Sequence, residues 1–153
     1  MIKYFLTITA VFLTLISCTT YDTTLQEEWS EEYFFKTAQQ AFDKGNLPES
    51  LFYYEVFLLR YPQNHSKGIA AEYERAYILY KQKKYEDAQK IYKDLSATSD
   101  NQTEKSRYYY NLGNTYLQNQ KLDESINAYK NALKLNPNDQ EARYNLTYAL
   151  KQR

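Results

Sequence analysis

The sequence has very few of the residues that build reactive or cross-linked sites. Its 153 residues include one cysteine, one histidine, one methionine and one tryptophan. A lone cysteine, Cys18, cannot form a disulfide within the chain, and one cysteine with one histidine gives no zinc-site spacing. A Ser/His/Asp triad would have to use His65, and nothing places a serine on a strained turn near it. We therefore expect no enzyme activity, no metal site and no cofactor.

Glycine, proline and net charge are also low. Three glycines cannot form the glycine-rich loop that cradles a phosphate. The 19 basic and 19 acidic residues are interspersed along the chain, so there is no basic patch to attract nucleic acid. The composition therefore excludes a nucleic-acid-binding protein of the usual electrostatic kind, and no nucleic-acid partner is expected.

A spacing that occurs three times is the main positive signal. A small residue is followed 12 residues later by a second small residue, and 4 residues after that by tyrosine. The three sets are Ala38/Ser50/Tyr54, Ala76/Ala88/Tyr92 and Gly113/Ser125/Tyr129. Their offsets of 38 and 37 residues are typical of stacked helix pairs, which present a binding surface. We expect the excess over a 34-residue unit to lie in long turns between the repeats.

The third copy, residues 106–139, resembles a tetratricopeptide (TPR) repeat over nearly its whole length. The matching residues are Tyr109, Leu112, Gly113 and Tyr116 in the first helix, and Ser125, Tyr129, Ala132 and Pro137 in the second helix and closing turn. Two antiparallel helices approach closely where Gly113 faces Ser125, and rings fill the space beside that contact. The resemblance implies an all-α fold.

The other copies extend the resemblance to a short TPR superhelix of three helix pairs. The repeats are predicted at about 31–64, 69–100 and 106–139, with a capping helix of polar outer side at 140–153. Glu72 and Arg75 depart from the pattern, because the family usually has apolar residues at these positions. Three residues apart on a helix, they can form an exposed ion pair, or they can mark a face where a partner docks.

The N-terminus resembles a bacterial lipoprotein signal. A short basic start and an apolar stretch too short to span a bilayer end in Leu15-Ile16-Ser17-Cys18, which is similar to a lipobox. The resemblance implies a signal peptide at 1–17, an acylated Cys18 of the palmitate-bearing kind, and a flexible tether over 18–30. A buried cysteine in an N-terminal helix is the alternative. Thr19, where inner-membrane lipoproteins of enteric bacteria have Asp, predicts the outer membrane, facing the periplasm.

The chain is rich in aromatic residues, with 18 tyrosines and 7 phenylalanines, and eight of these lie on one face of the predicted first helices. In the TPR family this face lines the concave surface of the superhelix. The residues that the resemblance places there are Phe35, Gln39, Phe42, Tyr73, Tyr77, Tyr80, Arg107, Tyr110, Asn114, Leu117, Tyr144 and Tyr148. Tyrosine suits protein binding because it combines apolar area with a hydroxyl. The alternative is that these rings only pack between repeats.

The residues also bear on which kind of TPR protein this is. Tyr110 stands where TPR carboxylate clamps have a lysine, so we reject that mode of binding. The run Tyr53 to Ser66, with Tyr61-Pro62, is similar to the BamD-type lipoprotein of the outer-membrane β-barrel assembly machinery, and to the periplasmic partner of the Tol–Pal system. We therefore expect a membrane-anchored adaptor of the bacterial envelope that binds proteins or peptides. The alternatives are an accessory subunit of another envelope complex, or a small-ligand carrier.

Overall fold

The computed structural model describes residues 30–153. The predictions for the signal peptide, the acylated Cys18 and the tether therefore lie outside the described residues, apart from Ser30. The described part is all-helical, as the sequence predicts. Its seven helices are α1 (Glu31–Asp43), α2 (Leu47–Arg60), α3 (His65–Lys81), α4 (Tyr85–Thr98), α5 (Gln102–Gln118), α6 (Leu122–Leu135) and α7 (Gln140–Gln152). None of the helices within 30–153 is long and apolar enough to cross a membrane.

The helices pack chiefly against their neighbours in sequence. α1 with α2, α3 with α4, and α5 with α6 form three pairs, and the second helix of each pair also contacts the first helix of the next element. α7 packs on α6 and touches α5. A stack in which each unit contacts only its neighbours is the architecture that the three-fold spacing predicts.

The small residues lie where the helices of a pair come closest. Ala38, Ser50, Ala76, Ala88 and Ser125 are all 0% exposed. In the third pair, Ser125 Oγ donates a hydrogen bond of 2.9 Å to the carbonyl oxygen of Gly113. A Cβ added to Gly113 would lie 2.6 Å from two ring carbons of Tyr129. The predicted close contact of Gly113 with Ser125 is confirmed, with the Tyr129 ring beside it.

The connections between pairs are short, contrary to the expectation of long turns. α3 begins at His65 and α5 at Gln102, four residues before the repeat starts at 69 and 106 that the pattern predicts. Both helices have 17 residues, against 13 in α1. The excess over a 34-residue unit is therefore about one extra turn of helix at the start of α3 and of α5.

The turn inside each pair has the same backbone form three times. Gly45, Lys83 and Gln120 have φ of +75°, +63° and +59°, in the left-handed region that favours glycine. In the first turn, the Gly45 N–H donates to Phe42 O and the Asn46 N–H to Ala41 O, both at 2.8 Å. These two bonds form a Schellman motif that ends the first helix.

The last helix, α7, is held against the stack by small residues. Ala142 and Ala149 are fully buried against the stack, while Tyr144 and Tyr148 are 72% and 46% exposed. The resemblance places these two tyrosines on the concave face and not on the outer side, so the polar outer side of the capping helix stays a prediction.

Candidate functional site: the first-helix face

We call the predicted lining residues on α1, α3, α5 and α7 the first-helix face. The structure divides them into two groups by exposure. Six rings, together with Asn114 and Leu117, are half-buried and contact other side chains of the stack, whereas Gln39, Arg107, Tyr144 and Tyr148 are exposed. The half-buried rings are Phe35, Phe42, Tyr73, Tyr77, Tyr80 and Tyr110. Packing within the stack therefore accounts for the half-buried rings, and a binding role for the exposed residues stays a prediction.

Phe35 and Phe42 have different roles on α1. The Phe35 ring centroid lies 4.5 Å from that of Phe57 and 5.5 Å from that of Tyr54, so Phe35 packs mainly within the first pair. Phe42 lies 5.8 Å from Tyr77 of α3 and so joins two first helices. Tyr77 in turn stacks on Tyr80, with centroids 6.4 Å apart and ring planes 18° apart.

Two side chains of α5, the guanidinium of Arg107 and the amide of Asn111, contact Tyr73 of α3. The guanidinium carbon of Arg107 lies 4.4 Å from the ring centroid of Tyr73, in cation–π geometry. Asn111 Nδ2 donates a 3.0 Å hydrogen bond to the Tyr73 hydroxyl. Glu74 is half-buried nearby: burial raises the pKa of its carboxyl, and the charge of Arg107 partly opposes that rise. Arg107 is thus both a contact within the stack and an exposed cation.

Hydrogen bonds join α5 to α7. The Tyr110 hydroxyl donates to Glu141 Oε2 at 3.1 Å. The Asn114 side-chain oxygen accepts from the Tyr129 hydroxyl at 2.7 Å and from Asn145 Nδ2 at 2.9 Å. Asn114 therefore connects the third pair to the capping helix.

The exposed members leave the face open at its two ends. At the α1 end, Gln39 Nε2 donates to Asp43 Oδ1 at 3.0 Å on the surface. At the α7 end, Tyr144 and Tyr148 present ring faces to solvent. Exposed aromatic side chains beside polar ones are typical of protein-binding surfaces.

A depression of about 450 Å³ lies between α3, α5 and α7. Tyr73, Arg107, Tyr110, Asn111 and Glu141 line it, so it offers rings together with a cation, an amide and a carboxylate. A smaller cavity of about 40 Å³ lies between Tyr77, Tyr80, Tyr92, Asn111, Asn114 and Thr115. Sequence reasoning missed Asn111 and Glu141. The position equivalent to Tyr73 in the next repeat is Tyr110, 37 residues later, so the repeat spacing does not single out its neighbour Asn111.

Glu72 and Arg75 lie away from the first-helix face, in a groove of about 460 Å³ formed by α2, α3 and α4. Arg75 Nη1 lies 3.3 Å from Glu72 Oε2, and each side chain is about one third exposed, at 29% and 34%. Burial raises the pKa of Glu72, with Arg75 opposing the rise. The pair is therefore half-buried rather than the exposed ion pair of the simpler expectation.

Little in the described helices suggests catalysis. His65 is the exposed first residue of α3, directly after its N-cap Asn64. Among residues 30–153 no group of three or more histidine, cysteine, aspartate or glutamate side chains is placed to hold a metal ion.

Comparison with known proteins matches residues 106–139 to the tetratricopeptide repeat family. An uncharacterized protein of Treponema pallidum (strain Nichols) is 38% identical over 77 residues, which are 50% of this chain and 31% of that protein. This chain therefore matches less than a third of that relative's length, and the relative's description names no activity.

Solved structures resemble the whole helical stack. MamA (41-end) from Desulfovibrio magneticus RS-1 matches with a TM-score of 0.71 and 21% identity, covering 82% of this chain and 67% of that one. The first TPR of Spaghetti (RPAP3), solved with the HSP90 peptide SRMEEVD, matches with a TM-score of 0.67 and 21% identity, covering 80% and 91%. At these identities the likeness concerns the fold, which is a TPR-like superhelix.

Proposed function

We propose that this chain, a repeat protein with one clear TPR unit on a TPR-like all-helical fold, is a protein–protein interaction adaptor anchored in the bacterial envelope. The fold itself suggests an interaction adaptor, because TPR proteins are typically non-enzymatic scaffolds and the match indicates no catalytic family. The single observation that carries the proposal is the exposure of two aromatic rings at the α7 end of the first-helix face. There the exposed Tyr144 and Tyr148 extend the aromatic first-helix face beyond the 450 Å³ depression of mixed polarity.

The partner of this face is an extended peptide segment with apolar side chains. Exposed tyrosine rings supply apolar area, while Arg107 and Glu141 supply one charge of each sign. The RPAP3 domain was solved with the peptide SRMEEVD, but a clamp on a terminal carboxylate does not fit here. Tyr110 occupies the place of the clamp lysine, so the cation that would neutralise the terminal carboxylate is missing there.

The anchor is a lipid on Cys18, and the location is the outer membrane facing the periplasm. The order of basic start, apolar stretch, Ser17 and Cys18 supports the lipid, and Thr19 supports the outer membrane. A twelve-residue tether has a root-mean-square reach of roughly 20 Å. The helical stack would thus work close to the membrane surface.

A narrower candidate is a subunit of the β-barrel assembly machinery. Its support is the similarity of residues 53–66, with Tyr61-Pro62, to the BamD-type lipoprotein. An accessory subunit of another envelope complex, such as a Tol–Pal-like system, is supported by the same residues, but the lipobox that ends at Cys18 favours the assembly lipoprotein. A small-ligand carrier is disfavoured, because the depression is open and a ligand pocket usually encloses most of its ligand.

The test is crosslinking and affinity capture of the intact protein from detergent-solubilised envelopes, read by mass spectrometry, which also reports the mass of the N-terminal peptide. Tyr144→Ala with Tyr148→Ala should remove the main partner, and melting of the chain should change little because both side chains are exposed. Lys130→Ala with Lys134→Ala, exposed on α6, is the matched control. A dominant β-barrel assembly partner would support the narrower candidate. Capture that is unaffected by the tyrosine substitutions would overturn the proposed binding face, and an unmodified Cys18 would overturn the anchor.

A further inference from the structure

The outer side of α2 carries an apolar stripe, formed by Phe52, Val56 and Leu59. Phe52 is 58% exposed and Leu59 is 83% exposed, while Val56 is half-buried between them along the helix. Phe52 and Leu59 lie opposite the buried side of α2, which is formed by Ser50, Tyr54 and Phe57. Val56 lies between them, with part of its side chain packed against the core of the first pair. Three neighbouring apolar side chains on one helix face leave a surface that water solvates poorly.

The other two second helices show that the fold does not require this stripe. Moving along the stack by the offsets of 38 and 37 residues gives the equivalent positions. They are Lys90, Asp94 and Ala97 on α4, and Asn127, Asn131 and Lys134 on α6. Five of these six residues are polar and the sixth is alanine. The apolar side chains of α2 are therefore specific to the first pair, which indicates a contact that only this pair makes.

The spacing of the stripe identifies a helix as the matching surface. Steps of four and then three residues from Phe52 to Val56 to Leu59 give the seam of a coiled coil, in which apolar side chains of two helices interlock. A helix that lies on a bilayer has instead a broad apolar face with basic residues along its polar side. Here the stripe is narrow, and Glu49 and Glu55 are exposed beside it, so a membrane surface fits less well.

The charges beside the stripe indicate which helix it pairs with. Glu49 and Arg60 are exposed and lie eleven residues apart, which is about three helical turns, so they lie along the same edge of the stripe. Within one copy, Glu49 Oε2 accepts from Asn46 Nδ2 at 2.6 Å, and the Arg60 guanidinium lies 5.9 Å from the Phe34 ring centroid. Ion pairs between copies would form beside these contacts or replace them. If two α2 helices pack antiparallel about a two-fold axis near Val56, Phe52 of one copy meets Leu59 of the other. The same edges then also meet, so that Arg60 of each copy approaches Glu49 of the other.

We propose that this chain forms a two-fold symmetric dimer through the outer side of α2, with the apolar stripe at the centre and two Glu49–Arg60 ion pairs at its edges. The contact leaves the first-helix face uncovered, because that face belongs to α1, α3, α5 and α7. A dimer would thus present two binding faces, which raises avidity for a repeated or dimeric partner. The inference depends neither on the lipid anchor nor on the partner-binding role of the first-helix face.

The size of the contact predicts a weak dimer. A stable specific interface buries about 1,600 Å² in total, and one helix face with three apolar side chains supplies only part of such an area. We expect a dissociation constant on the order of 100 µM. The full chain with Cys18→Ser, in a mild non-ionic detergent, is followed by sedimentation equilibrium up to about 1 mM, with Leu59→Asp as the disrupting variant. Ala97→Asp, at the equivalent exposed position of α4, is the matched control.

A second pair of variants tests the antiparallel geometry. Val56→Cys should form an intermolecular disulfide on mild oxidation in the Cys18→Ser background, because Val56 lies near the two-fold axis, and Asn131→Cys is its control on α6. Glu49→Arg and Arg60→Glu should each weaken dimerisation about ten-fold, and the two together should restore it. Rescue by the double charge reversal is specific to Glu49 meeting Arg60 across the axis. Should Leu59→Asp fail to fold, this charge pair decides the question.

The proposal stands if the dimer is lost in Leu59→Asp, is kept in Ala97→Asp, and is recovered by the double reversal. Three results would overturn it. One is a monomer throughout the concentration range, and another is a dimer that Leu59→Asp does not weaken. The third is a monomer that binds phosphatidylethanolamine/phosphatidylglycerol vesicles through Leu59, which would make the bilayer the occupant of the stripe.

Discussion

Gly113 shows most directly how a single residue sets the distance between two helices. A Cβ at this position would lie 2.6 Å from Tyr129 Cδ1 and Cε1. The ring cannot easily move, because it is fully buried and its hydroxyl donates to Asn114. We expect Gly113→Ala to lower the free energy of unfolding by about 2–3 kcal/mol, as overpacking does, measured by urea denaturation. Gly68→Ala is the control: with nothing within 4 Å of its added Cβ in α3, it should stabilise by about 0.5–1 kcal/mol. Equal effects at both sites would contradict this reading.

Tyr92 and Tyr129 occupy equivalent positions but differ in hydrogen bonding. The Tyr92 hydroxyl is buried without a hydrogen-bond partner among the described residues, and burial raises its pKa strongly. The Tyr129 hydroxyl donates a 2.7 Å bond to Asn114. We therefore expect Tyr129→Phe to cost about 1 kcal/mol, and Tyr92→Phe to be neutral or stabilising, because it removes an unpaired polar atom. Denaturant titration of both variants checks this, and a larger loss in Tyr92→Phe would contradict it.

Glu72 and Arg75 place charge where the equivalent positions of the third repeat, Tyr109 and Leu112, are apolar. Replacing a buried ion pair by apolar residues is often stabilising. About a third of each side chain is exposed, so the gain should be small. We expect the double change Glu72→Leu with Arg75→Leu to raise the free energy of unfolding by only about 1 kcal/mol at pH 7. Glu72→Leu alone should be worse than the double change, because it leaves Arg75 half-buried without its partner.

The pH dependence of this pair follows from the raised pKa of Glu72, whose main cause is burial. Because the folded chain holds this proton to higher pH than the unfolded chain, ionised Glu72 lowers stability once pH exceeds the folded pKa. The penalty disappears below the unfolded value. The advantage of the double leucine variant should thus be larger at pH 7 than at pH 4. Unfolding measured at both values tests this, and an advantage that grows toward acid pH would show that the sign is wrong.

At the scale of the helix and turn, the turn inside the first pair has more favourable capping residues than the turn inside the second pair. The first turn has Gly45 at its left-handed position and Asn46 as an N-cap whose side chain accepts from Glu49 N. The second turn has Lys83 with φ of +63°, and Lys84 makes no side-chain cap bond. We expect Lys83→Gly with Lys84→Asn to raise the free energy of unfolding by about 1–2 kcal/mol.

Thermal and urea melts measure this gain, and Gly45→Ala, which should lose about 1 kcal/mol, is the reciprocal control. A loss of stability in the Gly-Asn variant would mean that Lys84 contributes more through its position in the α2–α3–α4 groove than a cap would supply.

The helix boundaries also show what sequence could and could not predict. The three-fold spacing predicted the number of pairs and the close contact at Gly113, because both depend on local helix geometry. The extra turns of α3 and α5 were missed, although Asn64 and Asn101 were available as N-cap signals: their side chains accept from Lys67 N, and from Thr103 N and Glu104 N. The predicted repeats were placed by the 34-residue period of the TPR family, and the N-cap signals of Asn64 and Asn101 were not used to locate the first residues of these helices.

The first-helix face was predicted only in part, for a physical reason. Which residues point from the first helices follows from helix periodicity. Which of them meet depends on the rotation between successive pairs, and that angle is set by packing throughout the stack. Two examples are the contacts of Tyr73 with Asn111 and Arg107, and the contact of Tyr110 with Glu141. The residues in these contacts are 31 to 38 positions apart in the sequence, and the repeat pattern does not specify such pairs. The exposed rings of α7 follow from the same cause.

For the whole described stack, the free energy of unfolding should be approximately a sum of terms for single units and for contacts between neighbouring units, because each helix contacts mainly its neighbours in sequence. The capping helix then protects only the third pair directly. A cluster of Ile126, Tyr129 and Ala149, with Tyr110, Leu117 and Leu146 packed against it, joins α5 and α6 to α7. Removal of residues 140–153 would expose the apolar surfaces of this cluster that belong to α5 and α6.

We expect that truncation after Asp139 costs roughly 2–4 kcal/mol of stability, from the newly exposed apolar area, and that the loss is graded along the stack. Amide hydrogen exchange should accelerate most in α6 and α5, less in α4, and least in α1 and α2, since the coupling between neighbouring units weakens with distance. Ala142→Asp in the full-length chain, which places a charge at a fully buried contact of α7, should reproduce the same gradient without shortening the chain. Uniform acceleration from α1 to α6 in both variants would instead mean that the described helices unfold as one cooperative unit, and that the capping helix stabilises the first pair as strongly as the third.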